Sequence, residues 1–123
     1  MANFQPTGWP TVTPRIVVAD PDALVRFLKQ VFDAKGEVRS DSRAVIRIGD
    51  STLMVSGGGQ RELASAFLYV YVEDADQIYR RAIAANAISL EAPLDTPYGD
   101  RRAMVRDAWG NTWQTATCRR HVR

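Results

Sequence analysis

The chain is short of the residues on which several common kinds of site depend. Its 123 residues include one cysteine and one histidine. A single cysteine, Cys118, allows no intrachain disulfide and no thiolate metal cluster. No apolar run approaches the ~20 residues that a membrane helix needs, and the opening MANFQPTGWP lacks the basic and apolar regions of a signal peptide. We therefore expect a cytoplasmic globular protein with no membrane partner.

Lysine is also scarce, because the basic residues are 14 arginines and 2 lysines. The planar guanidinium of arginine pairs bidentately with carboxylates and phosphates. A formal net charge of +2 is too small to indicate nucleic-acid binding by itself. The arginines that such binding would use are Arg101, Arg102, Arg106, Arg119, Arg120 and Arg123. They divide among a turn, a sheet face and a tail rather than forming one stripe, so we expect no nucleic-acid partner.

An internal repeat organises the sequence. VADPDALVR (18–26) aligns with VEDADQIYR (72–80), sharing Val-x-Asp-x-Asp-x-(Leu/Ile)-x-Arg at an offset of 54 residues. In both halves a strand leads to an aspartate that caps a helix, Asp20 or Asp74, and apolar residues at helical spacing follow. Such a repeat constrains the fold more than any single motif does. Each half is expected to follow the order strand–helix–strand–strand–strand.

The remaining patterns set the expected boundaries. The first helix is expected to end at Gly36, and the stretch after the second helix contains Pro93 and turn signals at 97–100. The predicted strands are 13–18, 43–48, 51–56, 66–72, 102–106 and 112–117. The predicted organisation is an N-terminal arm (1–11), a domain over 12–118 made of modules 12–56 and 66–118 with a linker at 57–65, and a basic tail (119–123).

Two motifs carry a resemblance to a known family. IGDSTLM (48–54) and RDAWGNTW (106–113), set in the doubled pattern, resemble the vicinal oxygen chelate superfamily, which includes glyoxalases, extradiol dioxygenases and bleomycin-resistance proteins, and more narrowly its PhnB-like branch. Ala108 and Trp109 depart from the Pro and Phe usual there. The resemblance implies an α+β fold of two βαβββ modules forming a concave sheet cleft, in a homodimer that exchanges strands or modules.

The resemblance also locates the positions where the superfamily's metalloenzymes hold a divalent ion. These positions are Thr13, Met54, Phe67 and Gln114 in this sequence. Only Gln114 carries an oxygen donor suited to a hard divalent ion, and the carboxylates and imidazoles that such ions need are otherwise missing. The only histidine, His121, belongs to the tail. We therefore expect no metal and no other cofactor, and we assign no catalytic residue.

Alternation along the strands separates two faces of the sheet. The apolar face is expected to pack against the helices, and the opposite face is rich in aromatic, methionine and arginine side chains. No carboxylate is predicted on that opposite face, and Trp113 is expected in the core. Apolar walls with a few polar groups are typical of ligand pockets, although a dimer interface explains the same pattern. The candidate ligand-binding residues are Arg15, Arg47, Met54, Phe67, Tyr69, Tyr71, Arg102, Met104, Arg106, Gln114 and, in the last turn, Trp109.

These expectations favour one function and leave a second open. The favoured function is a metal-free protein that sequesters or carries a bulky aromatic antibiotic or secondary metabolite, as a resistance protein does. The alternative is a lyase, isomerase or other enzyme of the same superfamily whose metal site is lost or atypical.

Overall fold

The computed structural model describes residues 4–38, 43–59 and 62–119. The chain divides into two compact units, Met1–Ala64 and Ser65–Arg123. The predictions for Arg120, His121 and Arg123 concern residues outside these described ranges. Neither helix in the described ranges is long and apolar enough to cross a membrane.

The first unit contains a three-stranded sheet and one helix. Its elements are β1 (Arg15–Val18), α1 (Pro21–Phe32), β2 (Arg43–Ile48) and β3 (Ser51–Gly57). β3 is central, parallel to β1 and antiparallel to β2. Ile16, Ile46 and Val55 are fully buried, and α1 packs on all three strands. The helix is therefore held by the apolar positions that alternation predicted.

Helix α1 begins as predicted and ends earlier than predicted. The Asp20 side chain accepts a hydrogen bond from the Ala23 amide at 3.1 Å, which satisfies one free amide of the first turn. The helix ends at Phe32, and its C-cap Asp33 adopts a left-handed φ of 56°, so the prediction that Gly36 closes the helix was wrong. Gly36 has another role, because a Cβ there would lie 2.2 Å from the Val45 carbonyl oxygen.

The first unit differs from the expected βαβββ order in one respect. Among the described residues its sheet has three strands, and the position after α1 is marked only by isolated bridges, Lys35–Arg47 and Val38–Ala44. Lys35 and Arg47 exchange both backbone hydrogen bonds, at 2.9 and 2.8 Å. Two bridges in one register show that this segment runs beside β2 without forming a regular strand.

The second unit has the complete βαβββ order. Its elements are β4 (Phe67–Tyr71), α2 (Ala75–Ala84), β5 (Ile88–Asp95), β6 (Asp100–Arg106) and β7 (Thr112–Cys118). The sheet order is β4-β7-β6-β5, with β4 parallel to β7 and the other pairs antiparallel. Asp74 caps α2 through the Gln77 amide at 3.1 Å, the same arrangement as at Asp20 and 54 residues further on.

Strand β5 was not located by the sequence pattern. Its residues ISLEAPLD contain Pro93, which removes a backbone donor and is tolerated on an edge strand. Register shifts between Ser89 and Glu91 and between Glu91 and Leu94 break the two-residue alternation. A strand with this irregularity leaves no periodic signal in the sequence.

Two hydrogen-bonded pairs show which side of the second sheet faces α2. Arg101 on β6 bonds bidentately to Asp76 in the first turn of α2, at 3.0 and 3.2 Å. The Thr117 hydroxyl on β7 accepts from the Ala75 amide at 2.9 Å. Odd-numbered positions of β6 and β7 therefore face the helix. The predicted core residue Trp113 is among them and is fully buried.

The buried side of α2 differs in part from the one that the sequence predicts. Helical spacing predicts a buried side made of Ala75, Ile78, Tyr79, Ala82 and Ile83. Ala75, Ile78 and Ala82 are buried, whereas Ile83 is exposed. Tyr79 is only half-buried, and its hydroxyl donates to Ser89 on β5 at 2.7 Å. The helix has ten residues, so its core stripe is narrower than the spacing of apolar residues suggested.

Candidate ligand-binding site

The side of the second sheet that faces away from α2 carries most of the predicted ligand-binding residues. In register, Tyr69 lies opposite Gln114, which lies opposite Met104, and Tyr71, Ala116 and Arg102 form the next row. Directly opposed residues project from the same face. We call this surface the tyrosine face; its residues are Phe67, Tyr69, Tyr71, Glu91, Tyr98, Asp100, Arg102, Met104, Arg106, Thr112, Gln114 and Ala116.

Aromatic side chains on the tyrosine face are open to solvent. Phe67 is 66% exposed, Tyr71 is 58% exposed and Tyr98 is 46% exposed. The rings of Tyr69 and Tyr71, two residues apart on β4, meet edge to face with centroids 5.3 Å apart, a favourable arrangement for aromatic pairs. A contiguous exposed apolar surface of this kind marks a binding or interaction site more often than an isolated exposed residue does.

A buried carboxylate holds two of these rings. Asp100, at the start of β6, is 1% exposed. Its Oδ2 atom accepts hydrogen bonds from the hydroxyls of Tyr69 at 2.7 Å and Tyr71 at 2.8 Å. The Asp100 amide donates to the Thr96 hydroxyl at 2.9 Å, which fixes the turn between β5 and β6. Hydrogen bonds to an ionised acceptor are about twice as strong as neutral ones, so Asp100 orders the two tyrosines.

A second group of contacts extends this hydrogen-bond network from Asp100 and the tyrosines to the edge strand β5. The Tyr98 hydroxyl lies 3.2 Å from that of Tyr69 and accepts from Nη1 of Arg102 at 3.0 Å. Arg102 also donates to both carboxylate oxygens of Glu91, at 2.8 and 3.1 Å. Because the single proton of Tyr69 is donated to Asp100, Tyr98 is the donor in the contact between the two tyrosines. The donors thus run in one direction, from Arg102 through Tyr98 and Tyr69 to Asp100.

The network changes the acidity of its members in opposite directions. Burial, followed by the hydrogen bonds with Tyr98 and Asp100, raises the pKa of Tyr69. The hydrogen bonds with Tyr69 and with the Arg102 guanidinium lower the pKa of Tyr98. The carboxylate of Glu91 raises the pKa of Arg102. Tyr98, which touches a cation, is therefore the tyrosine of this pair that loses its proton first.

The structure corrects the prediction that no carboxylate lies on this face. Asp100 and Glu91 both do, and Tyr98 was also missed. Asp100 is two residues before Arg102, so alternation places it on this face, but the turn signals at 97–100 predict no strand there. Glu91 lies between the two register shifts of β5, where alternation gives no answer. Arg102, predicted to be available to a ligand, makes three hydrogen bonds within the network.

The three candidates in the first unit lie on the face of its sheet opposite Ile16, Ile46 and Val55. Arg15 and Met54 are opposite each other in register, and Nη2 of Arg15 donates to the Met54 sulfur at 3.5 Å. Arg47 lies opposite Thr52 and is exposed. The structure thus brings Arg15 and Met54 into contact and records no side-chain contact that joins Arg47 to them.

The remaining candidate, Trp109, belongs to a tightly bonded turn between β6 and β7. Asp107 is buried and accepts from the amides of Trp109 and Asn111 and from the Trp113 indole, each at 2.9 Å. Asn111 in turn accepts from the Ala66 amide at 2.8 Å, which joins the turn to the start of β4. Trp109 is half-buried.

The donor chemistry at the superfamily's metal positions does not fit a divalent ion. Thr13, Met54, Phe67 and Gln114 offer a hydroxyl, a thioether, a hydrocarbon ring and an amide. The thioether accepts from a guanidinium, and a cation at that place repels a second cation. Within residues 4–38, 43–59 and 62–119, no group of three or more His, Cys, Asp or Glu side chains is arranged to hold an ion.

Three of the arginines considered for nucleic-acid binding are already paired. Arg101 bonds to Asp76 and lies 3.5 Å from Asp95, Arg102 bonds to Glu91, and Arg119 lies 3.4 Å from Asp95. Arginines engaged with carboxylates form a weaker phosphate-binding patch than free ones.

Comparison with known proteins identifies the family. The model of the Glyoxalase/Bleomycin resistance protein/Dioxygenase superfamily matches residues 10–115, and the chain therefore belongs to that superfamily. The resemblance to this superfamily and its expected α+β fold are both confirmed, and the narrower PhnB-like assignment stays a prediction.

Individual relatives agree with this assignment. An uncharacterized protein of Mycobacterium bovis, Mb0911c, is 28% identical over 122 residues, covering 85% of this chain and 80% of that protein. The crystal structure of TioX from Micromonospora sp. ML1 superimposes with a TM-score of 0.77 at 25% identity, covering 89% of this chain and 98% of TioX. The fosfomycin resistance protein FosX from Mesorhizobium loti has the same fold, with a TM-score of 0.68 at 21% identity over 88% of this chain and 91% of FosX.

Proposed function

We propose that the protein is a metal-free, cytoplasmic binding protein that sequesters or carries a bulky aromatic antibiotic or secondary metabolite, and that the ring system of this ligand stacks on the tyrosine face. The observation that carries the proposal is the set of exposed rings on β4, Phe67 and Tyr71 with Tyr69 between them. The hydroxyls of Tyr69 and Tyr71 donate to Asp100, which holds these two rings in place.

The polar groups around the rings support stacking as the mode of recognition. Tyr69, Tyr98, Asp100, Arg102 and Glu91 satisfy much of one another's hydrogen-bonding capacity. A surface that is ordered before binding loses less conformational entropy when a ligand binds. Such an apolar surface with a few fixed polar groups is suited to a flat, mostly apolar molecule.

Membership of the superfamily supports the class of function. FosX, which has this fold, is a fosfomycin resistance protein. The donor set at the four metal positions supports a binding role rather than metal-dependent catalysis. We further propose that the protein is a homodimer with exchanged strands or modules, in which the exposed aromatic residues serve the ligand, the partner chain or both.

Titration of intrinsic fluorescence with a panel of flat aromatic antibiotics, including peptide and glycopeptide compounds, tests the proposal. We expect saturable binding of at least one compound. Phe67→Ala is expected to weaken it by about 2–10-fold, because one aromatic contact is lost. The matched control is Ile83→Ala, which removes an exposed apolar side chain from α2 and is expected to leave affinity unchanged. Equal losses in both variants, or no binding by any compound, would contradict the proposal.

A further inference from the structure

The end of the tyrosine face that lies far from Asp100 carries an exposed arginine. Arg106 ends β6, six residues beyond Asp100, which places the two residues about 20 Å apart along the strand. Among the residues that the structure describes, the ion pairs of β6 belong to Arg101 and Arg102, and none involves Arg106. The charge of the Arg106 guanidinium is therefore open to a ligand.

Two neighbouring carboxylates are engaged elsewhere. Asp107 follows Arg106 in the chain but is buried, and it accepts from the Trp113 indole on the side of the sheet that faces α2. Glu91 lies on the tyrosine face and accepts from Nε and Nη2 of Arg102. Neither carboxylate neutralises Arg106.

The residues across β7 give this arginine an aromatic neighbour. Thr112 lies opposite Arg106 on one side and opposite Phe67 on the other, so the three side chains project from the same face. Phe67 and Arg106 are exposed, whereas Thr112 is buried. Because adjacent strands are about 4.8 Å apart, the two long side chains flank the threonine at a backbone separation of about 10 Å. Together with Gln114, we call these residues the β7 notch.

Gln114 adds a neutral polar group beside the guanidinium. It follows Thr112 by two residues on the same face of β7 and is half-buried. Its position is diagonal to that of Arg106, at roughly 7–8 Å, a separation that long side chains bridge. For the described part of the chain, the structure records no hydrogen bond of the Gln114 side chain. The amide of Gln114 and the guanidinium of Arg106 can thus donate to one acceptor.

We propose that the β7 notch binds a carboxylate, and that the ligand of the tyrosine face is an aromatic acid whose ring lies against Phe67. The Arg106 guanidinium donates to both carboxylate oxygens, since its planar fork matches their geometry. The Gln114 amide donates to one of them. This inference rests on the proposed function, because it assigns the charge and one functional group of a ligand bound to the same face.

Three bicyclic probes of similar size test the charge preference by calorimetry or by chemical-shift titration at neutral pH. 2-Naphthoate carries the carboxylate, 2-naphthamide is its neutral counterpart, and 2-naphthylmethylammonium carries a cation. We expect naphthoate to bind about 2–10-fold more tightly than naphthamide, and the ammonium compound to bind most weakly. Equal affinity for naphthoate and naphthamide, or tightest binding of the ammonium compound, would overturn the inference and leave the proposed ring-binding function standing. Failure of all three probes to bind counts against both.

Variants of Arg106 locate the preference. Arg106→Gln removes the charge, so the ratio of naphthoate to naphthamide affinity is expected to fall toward one while naphthamide affinity is retained. Arg106→Lys keeps the charge without the planar fork and is expected to preserve part of the ratio. The matched control Arg80→Gln removes an exposed arginine of α2, and no change is expected. A ratio that survives Arg106→Gln, or that falls equally in Arg80→Gln, contradicts the assignment.

Gln114→Leu tests the second donor, because leucine fills a similar space without an amide. The ratio of naphthoate to naphthamide affinity is expected to fall by about 2-fold, less than in Arg106→Gln, because a neutral donor contributes less than a charged one. Circular dichroism of each variant verifies the fold. An unchanged ratio in a natively folded Gln114→Leu protein would contradict the role of Gln114 in holding the carboxylate.

Discussion

The hydroxyl of Tyr69 donates a hydrogen bond of 2.7 Å to the carboxylate of Asp100, which lies 31 residues further along the chain. Tyr69 belongs to the edge strand β4 and Asp100 begins β6, with β7 between them. The bond therefore spans the sheet on the face away from α2. It converts two exposed aromatic rings, those of Tyr69 and its neighbour Tyr71, into an ordered surface.

Removing the charge of Asp100 tests how much this arrangement contributes to stability. Asp100→Asn is expected to lower the free energy of unfolding by about 1–3 kcal/mol, because hydrogen bonds to an ionised, buried acceptor are lost or weakened. Denaturant titration monitored by circular dichroism measures the change. The control Asp50→Asn removes an exposed carboxylate of the turn between β2 and β3 and is expected to stay within about 0.5 kcal/mol of the original protein. An equally small effect at Asp100 would show that the tyrosines do not depend on its charge.

The hydrogen-bond network around Asp100 is expected to give Tyr98 and Tyr69 different pKa values. Tyr98 should ionise below the ordinary phenol value near 10 and Tyr69 above it. Ultraviolet absorbance of tyrosinate against pH measures this, and Tyr98→Phe should remove the component with the lowest pKa. Tyr79→Phe is the control, since that hydroxyl bonds only to Ser89 among the contacts the structure records. If Tyr79→Phe instead removed the component with the lowest pKa, the assignment of that component to Tyr98 would be contradicted.

The raised pKa of Tyr69 also has a consequence for stability. A group whose pKa is higher in the folded state binds its proton more tightly there, so its contribution is complete below the unfolded value near 10 and is lost as the pH rises further. Tyr69→Phe should therefore reduce the decline in the free energy of unfolding above pH 10. Unfolding measured at several pH values up to 11 tests this, and an unchanged alkaline decline in the variant would exclude Tyr69 as its source.

Gly36 is expected to be intolerant of any side chain. Gly36→Ala places a Cβ 2.2 Å from the Val45 carbonyl and at a φ of 124°, so we expect a loss of roughly 2–4 kcal/mol. Gly49→Ala is the matched control, because Gly49 also has a positive φ, 57°, but its Cβ would meet nothing within 4 Å. Thermal unfolding compares the two. Equal losses would show that backbone conformation, not the contact with β2, decides the cost.

Regular alternation explains why part of the site was predictable from sequence. Tyr69, Tyr71 and Arg102 were placed together because β4 and β6 are uninterrupted and have apolar residues at every other position. Asp100 was not predicted on this face, because the first two residues of β6 adjoin the Gly99 turn and lie outside the predicted strand. Glu91 was beyond prediction, since the irregular register of β5 gives no periodic signal.

The sequence also did not predict which side chains pair with one another. The pairing of Arg102 with Glu91 joins residues 11 positions apart across two strands, and it depends on the register between β5 and β6. Without that register, alternation predicts only that Arg102 is among the ligand-binding residues. The structure shows Arg102 held by Glu91, and the location of the ligand-binding surface stays a prediction.

Mapping of ligand-induced chemical shifts in the isotopically labelled protein tests the central claim most directly. With an aromatic antibiotic that binds in the fluorescence panel, we predict saturable shifts at the amides of β4, at Tyr98–Arg102 and along β7. The amides at the exposed surface of α2, including Ile83, should be unaffected. Shifts confined to α2, or no shifts at ligand concentrations that saturate fluorescence, would contradict the assignment of the tyrosine face as the binding surface.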